Sequence, residues 1–170
     1  MKRMIVAATL SSVLALGACK KEPPAVTPPP PQDTVTQTPA PTQTPVGNQP
    51  GSQSHFSAAM MGADTIYFDT DQYSIDSEDA AALRRQAEYM LQYTNAQATI
   101  EGHADERGTR DYNLALGERR ANAAKNYLVS LGVPAARLRT VSYGEERPAA
   151  TGSNEQAWAR NRRAVTVMIN

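Results

Sequence analysis

The stretch "GHADERGTRDYNLALGERRA", residues 102–121, crowds nine ionisable side chains into twenty positions with almost no net charge. His103, Asp105, Glu106, Asp111 and Glu118 are interleaved with Arg107, Arg110, Arg119 and Arg120. A nucleic-acid surface needs a basic excess to neutralise phosphates, and the 170-residue chain as a whole is balanced, with 17 basic and 17 acidic residues. Nucleic acid is therefore not an expected partner. Both signs at close range suit a ligand that carries an ammonium and a carboxylate together.

Other chemistries fit these residues less well. His103 with Asp105 and Glu106 has metal-ligating types, but residues 60–170 hold no second histidine and no cysteine, so no metal is expected. Nucleophilic hydrolysis needs an activated Ser or Cys beside a positioned base, and neither G-x-S-x-G nor H-E-x-x-H occurs. Asp69, Asp71 and Asp105 supply carboxylates for paired-acid hydrolysis, yet nothing in their spacing favours it. No catalytic residue and no cofactor is expected; the chain reads as a binding protein rather than an enzyme.

The elements that must position these groups follow from periodicity. "DTIYFD", 64–69, is a short β-rich run, and Asp76 or Ser77 caps a helix with Leu83, Ala87, Met90 and Leu91 on one face. Ala98, Ile100 and Gly102 alternate as a second strand. A long helix from about Tyr112 to Leu131 stops at Gly132. "RLRTVSYGEE" is a third strand, a short helix spans about Asn154 to Arg160, and Val165, Val167 and Ile169 alternate along a last strand. The order predicts an α+β domain of two layers, with helices on one face of a small mixed sheet.

On the long helix, at about 100° per residue, Leu116, Ala123, Tyr127, Leu131 and Ala124 form the predicted buried stripe, and Arg120 and Asn113 fall inside it. A permanent cation on an apolar face needs a partner. Asp105 follows the second strand, and the loop "ERGTRD" returns the chain into the helix that bears Arg120. The two predict a cleft in which Asp105 accepts from an ammonium and the Arg120 fork donates to a carboxylate. An internal ion pair that fixes helix on sheet is the plainer alternative. In "NRRA", Arg162 and Arg163 alternate faces, so one is expected in solvent and the other behind the cleft; Tyr67, Tyr127 and Trp158 are expected in core or rim.

The rest of the chain reads as a leader and a linker. Lys2 and Arg3 precede an apolar run from Met4 to about Leu16, as in a secretory signal peptide, too short to span a membrane stably. Ten of the 12 prolines fall between Pro23 and Pro50, in a segment nearly free of large apolar residues. Such a segment cannot bury enough surface to offset chain entropy, and it reads as a disordered tether. The expected organisation is residues 1–18 signal peptide, 19–59 anchor cysteine and linker, and 60–170 domain.

Two resemblances add to this reading. Leu16-Gly17-Ala18-Cys19 resembles the lipobox of bacterial lipoproteins, which implies acylation of Cys19, and Lys20 after it resembles lipoproteins passed to the outer membrane. Several acyl chains on one residue anchor stably where one is marginal. "YFDTDQYSI", "IEGHADERGTRDYNLALGERRANAAKNYL", "VSYGEERPA" and "ARNRRAVTVMI" resemble the OmpA-like peptidoglycan-binding domain over roughly residues 64–170. That resemblance implies non-covalent binding of peptidoglycan through diaminopimelate of the stem peptide, by Asp105 and Arg120 with Asp71, Asn113 and Leu116 lining the same site. It also implies a lipid-anchored protein of the outer membrane whose domain faces the periplasm, with the TolB propeller and other Tol proteins as partners through an overlapping surface. Gly117 stands where the wider family has Ser, and Thr70 where an aromatic is common. A wall-degrading enzyme and a protein-binding adaptor are the alternatives to a wall tether.

Overall fold

The computed structural model describes residues 49–169. The signal sequence, Cys19 and the linker as far as residue 48 lie outside the described residues. Nine elements follow in chain order: α1 (Gln53–Met60), β1 (Thr65–Tyr67), α2 (Ser77–Gln92), β2 (Gln97–His103), α3 (Arg110–Ser130), a 3-10 turn (Ala135–Arg137), β3 (Leu138–Gly144), α4 (Glu155–Asn161) and β4 (Arg163–Ile169). The strands form one mixed sheet in the order β1-β4-β2-β3, in which β2 and β3 are parallel and β4 runs antiparallel to both β1 and β2. Helices α2 and α3 cover one face. The predicted two-layer α+β architecture is the one observed, and each helix begins where a polar side chain caps it: Asp76 for α2, Thr109 for α3 and Asn154 for α4.

The closest approach between layers sets the height of α3 above the sheet. A Cβ placed on Gly102 of β2 would lie 1.8 Å from the carbonyl oxygen of Gly117, and one on Gly117 would lie 2.3 Å from Ser142 Oγ. Backbone therefore packs on backbone, and nothing larger than glycine fits either position. This contact turns the helix: its buried residues are Asn113, Leu116, Gly117, Arg120, Ala121, Ala124 and Leu128, while Ala123, Tyr127 and Leu131 of the expected stripe are only half-buried. Small residues face the strands because they allow the approach, and the larger Tyr127 is left at the flank.

Two further expectations are corrected. The residues read as linker up to 59 include α1, capped by Ser52, whose Phe56 and Met60 are buried in the main core with Leu83, Met90 and Ile100. Gln53 Oε1 accepts the amide of Met168 at 2.6 Å, tying α1 to the end of β4. Phe56 and Met60 at i and i+4 behind a capping serine were the missed signal. Leu91 is exposed rather than buried. On β4 the buried residues are Ala164, Thr166 and Met168, while Val165 and Val167 are half-buried on the face without helices. The single inward polar residue is matched, since Thr166 Oγ1 donates to Gln86 Oε1 at 2.7 Å and Gln86 Nε2 donates to Ala63 O at 2.6 Å.

Candidate functional site

The charged segment opened at residue 102 wraps the carboxyl end of β2 and the first turns of α3, and there the structure has a cavity of about 320 Å³. It is lined by Thr70, Asp71, Asp105, Arg107, Gly108, Tyr112, Asn113 and Leu116. Four of the five expected binding residues, Asp71, Asp105, Asn113 and Leu116, thus meet in one pocket. Arg120 is not among the lining residues.

Asp105 stands at the centre of the charge. Its carboxylate accepts Arg107 Nε at 2.9 Å on one oxygen and Arg107 Nη2 at 2.8 Å on the other, a bidentate pair, and the first oxygen also accepts the Arg107 amide at 3.1 Å. Arg162 Nη1 lies 3.5 Å from the second oxygen. Burial alone would raise this carboxyl, but the bonds from Arg107 outweigh it and hold Asp105 below the ordinary range, as an anion at neutral pH. Arg107 also lies over the Trp158 ring at 4.3 Å, donates to Thr70 Oγ1 at 3.3 Å and comes within 3.9 Å of Glu155.

The second wall comes from the loop between β1 and α2. Gln72 N bonds to Asp69 O at 3.1 Å, which closes a turn with Asp71 at φ 57, a left-handed conformation that aspartate tolerates better than most residues. Asp71 accepts the Tyr112 hydroxyl at 3.2 Å across the pocket. Asn113 donates to Arg107 O at 3.1 Å and to Glu145, fixing the loop between β2 and α3 against the end of β3.

Arg120 lies behind both walls, fully buried. Its Nε donates to Gln72 O at 2.9 Å, one Nη to His103 O at 2.8 Å and the other to Asp69 O at 3.1 Å. The fork grips both ends of the turn that carries Thr70 and Asp71, and the strand end that leads to Asp105. Burial lowers its pKa to about 10, with Asp105 acting in the opposite sense, so it stays charged. The expected display of this fork to a ligand is therefore not the arrangement seen: three carbonyl dipoles hold it, and it positions the pocket from beneath. Arg162 is the expected supporter behind the cleft, buried and donating to Phe68 O at 2.9 Å and to Glu155. Arg163 is half-buried on the opposite face, Tyr67 is exposed, and Trp158 is a rim residue that donates to Glu106 at 3.1 Å.

His103 points away from this pocket, toward the uncovered side of the sheet. It is buried beside Tyr143, both ring nitrogens lack a hydrogen-bond partner, and burial with Arg163 and Arg147 nearby lowers its pKa to about 4. Among the described residues no group of three His, Cys, Asp or Glu side chains is placed to hold a metal. Gly117 faces Gly102 and Ser142 rather than the pocket, so the serine of the wider family has no counterpart in the cavity here.

The OmpA family model matches residues 67–162. The chain is 56% identical over 119 residues to the peptidoglycan-associated lipoprotein of Rhizobium meliloti, and 52% identical over the same length to that of Agrobacterium fabrum. Each match covers 70% of this chain and 66%, just under two thirds, of the relative's own length. The crystal structure of the peptidoglycan-associated lipoprotein from Burkholderia pseudomallei superposes with a TM-score of 0.61 at 44% identity, covering 62% of this chain and 89% of that one.

Proposed function

The chain belongs to the OmpA family, and from that premise we propose that it is an outer-membrane lipoprotein that binds peptidoglycan without covalent chemistry, through diaminopimelate of the stem peptide. The carrying observation is the pocket itself, where Asp71, Asp105 and Arg107 set both signs of charge within one cavity of about 320 Å³. Diaminopimelate ends its side chain in an ammonium and a carboxylate on one carbon. Asp105 takes the ammonium, aided by Asp71; Asn113 and Leu116 hold the stem beside it; and Arg120 keeps both walls in place and contributes a fixed positive charge beneath the floor.

Acylated Cys19 anchors the chain in the outer membrane, and the proline-rich segment spans the gap to the wall. At roughly 3 Å per residue when drawn out, the roughly 33 residues between Cys19 and α1 reach about 100 Å. The protein then tethers membrane to wall within the Tol-Pal system, in envelope integrity and cell division, with TolB binding a surface that overlaps the 105–111 and 68–73 loops. One pocket cannot hold both ligands, so TolB and a stem peptide weaken each other equally.

Sedimentation with purified cell wall tests the reading. The full chain is expected to pellet with the wall and to release no soluble muropeptides. Protein left in the supernatant favours the adaptor, and released fragments favour the enzyme.

A further inference from the structure

We propose that the sheet face without helices is a contact surface for a second copy of this chain, with Glu101 of each copy set against Arg139 of the other across a twofold axis.

A sheet with one face in water alternates apolar and polar residues, whereas strands covered on both faces are apolar on both. β4 follows the second pattern. Ala164 and Met168 face the helices, and the larger Val165, Val167 and Ile169 face the other way. Val141 of β3 joins them, because its neighbours Thr140 and Ser142 turn to α3 and bond Asn122 and the Leu114 carbonyl. In the paired strands Glu101 stands between Val165 and Val141, and Thr99 stands between Val167 and Arg139. The open face is thus a valine patch with an anion in its middle and a cation on its border.

Neither charge is answered within the chain. The Glu101 side chain is only 23% exposed, and among the described residues its one ionic contact is His103 Nε2 at 3.7 Å, on a ring that burial holds neutral. A largely covered carboxylate without a cation is costly. Arg163, the nearest cation on β4, gives its fork to the carbonyls of Asn161 and Arg147 at 3.4 and 3.1 Å. Arg139 is exposed and forms no ion pair among the described residues.

A twofold contact uses the same patch on both partners, so it requires a surface that complements itself. This face meets the requirement. Glu101 and Arg139 lie on adjacent strands one pleat apart, and an axis between them brings each carboxylate to the other copy's guanidinium. The same axis lays valines on valines, in a sandwich whose sheets stand about 10 Å apart. An unrelated partner would need an anion and a cation in matching places; a second copy supplies both by symmetry.

Cross-linking in whole cells tests the contact on the full chain. Cys19 is the only cysteine, so wild type sets the background and one added thiol reports one position. Thr99→Cys, beside the proposed axis, is treated with a short bismaleimide; a band at the mass of two chains is expected, at a yield at least about fivefold above that of Glu88→Cys, an exposed site on α2 in the other layer. In the Thr99→Cys chain, Glu101→Arg or Arg139→Glu alone sets like charges together twice and is expected to lower the yield at least about fivefold. The two combined restore both pairs with their signs exchanged, and most of the yield is expected to return. Glu101→Gln removes the charge and keeps the shape; it is expected to lower the yield about threefold, and it carries the test if thermal melts show a reversal variant unfolded. A yield at Thr99→Cys no higher than at Glu88→Cys overturns the proposal. So do folded reversal variants with undiminished yield, a folded double variant that stays low, and a band at another mass, which would put a different protein on this face.

Discussion

Replacing Arg120 by methionine separates a residue that builds the pocket from one that only touches the ligand. The guanidinium makes three charge-assisted bonds to carbonyls, each worth roughly 1.5–3 kcal/mol, or about 4.5–9 kcal/mol together. Against this stands the cost of burying the cation, which lowers its pKa to about 10 and corresponds to a penalty of roughly 3 kcal/mol at neutral pH. The bonds win. Methionine fills similar volume and removes the burial cost, but it leaves His103 O buried without its donor and frees both ends of the 69–72 turn. The net loss is expected to be about 3–5 kcal/mol, partly relieved by water at the two outer carbonyls. For a domain of this size that lowers Tm by about 10–20 °C. Differential scanning calorimetry reads the shift, and hydrogen exchange is expected to show the amide of Gln72 losing protection first. Arg120→Lys reaches fewer carbonyls and falls between wild type and Arg120→Met. If Arg120→Met melts within about 3 °C of wild type, the carbonyl grip is not what holds the walls, and Arg120 belongs to ligand binding alone.

Two buried groups titrate in opposite senses. Burial raises Asp79 to about 6, so below its unfolded pKa near 4 it costs nothing and its stability penalty accrues as pH rises from about 4 to 6. His103, lowered to about 4, contributes stability that is complete above about 6.5 and is lost as pH falls through its folded pKa. The two slopes offset in wild type, so Asp79→Asn is expected to lose stability on acidification from pH 6.5 to 4, and His103→Gln to gain it, each by roughly 2–3 kcal/mol in urea titrations across that range; parallel curves for all three proteins would refute the assignment. Gly102→Ala drives a methyl into the Gly117 carbonyl and is expected to prevent folding, read as loss of the cooperative melt, whereas a stable Gly102→Ala domain would mean that α3 is free to lift off the sheet. Cys19→Ser is expected to shift the protein from the outer-membrane to the soluble periplasmic fraction in cells where wall retention is abolished, and unchanged membrane recovery would exclude acylation as the anchor.

What was legible in the sequence was whatever depended on neighbours in sequence. Periodicity and caps gave the order of strands and helices from β1 onward, and Arg120 stood out because a cation inside a helical stripe conflicts with its surroundings. What that conflict meant was not legible. The three acceptors are backbone carbonyls 17, 48 and 51 residues away, and a carbonyl has no sequence signature. The same limit hid the true partner of Asp105, although a local sign was present: Arg107 two residues on, followed by Gly108 at φ 106, forms a tight turn that returns the fork to the carboxylate. The helix stripe was misjudged by the side to which small residues turn, because their use was to bring backbone onto backbone. On β4, alternation fixed two faces but not which one the helices cover. Apolar β-branched residues suit a half-covered sheet face as well as a core.

The central claim is that the pocket between the 69–72 turn and the start of α3 receives the ammonium and carboxylate of diaminopimelate. A crystal structure of the domain soaked with a meso-diaminopimelate stem peptide tests it most directly. The account predicts the side-chain ammonium within hydrogen-bond distance of Asp105, the adjoining carboxylate inside the same cavity, and Arg120 still holding the carbonyls of Asp69, Gln72 and His103. A peptide bound elsewhere on the domain, or bound here with its ammonium turned away from Asp105, would contradict it.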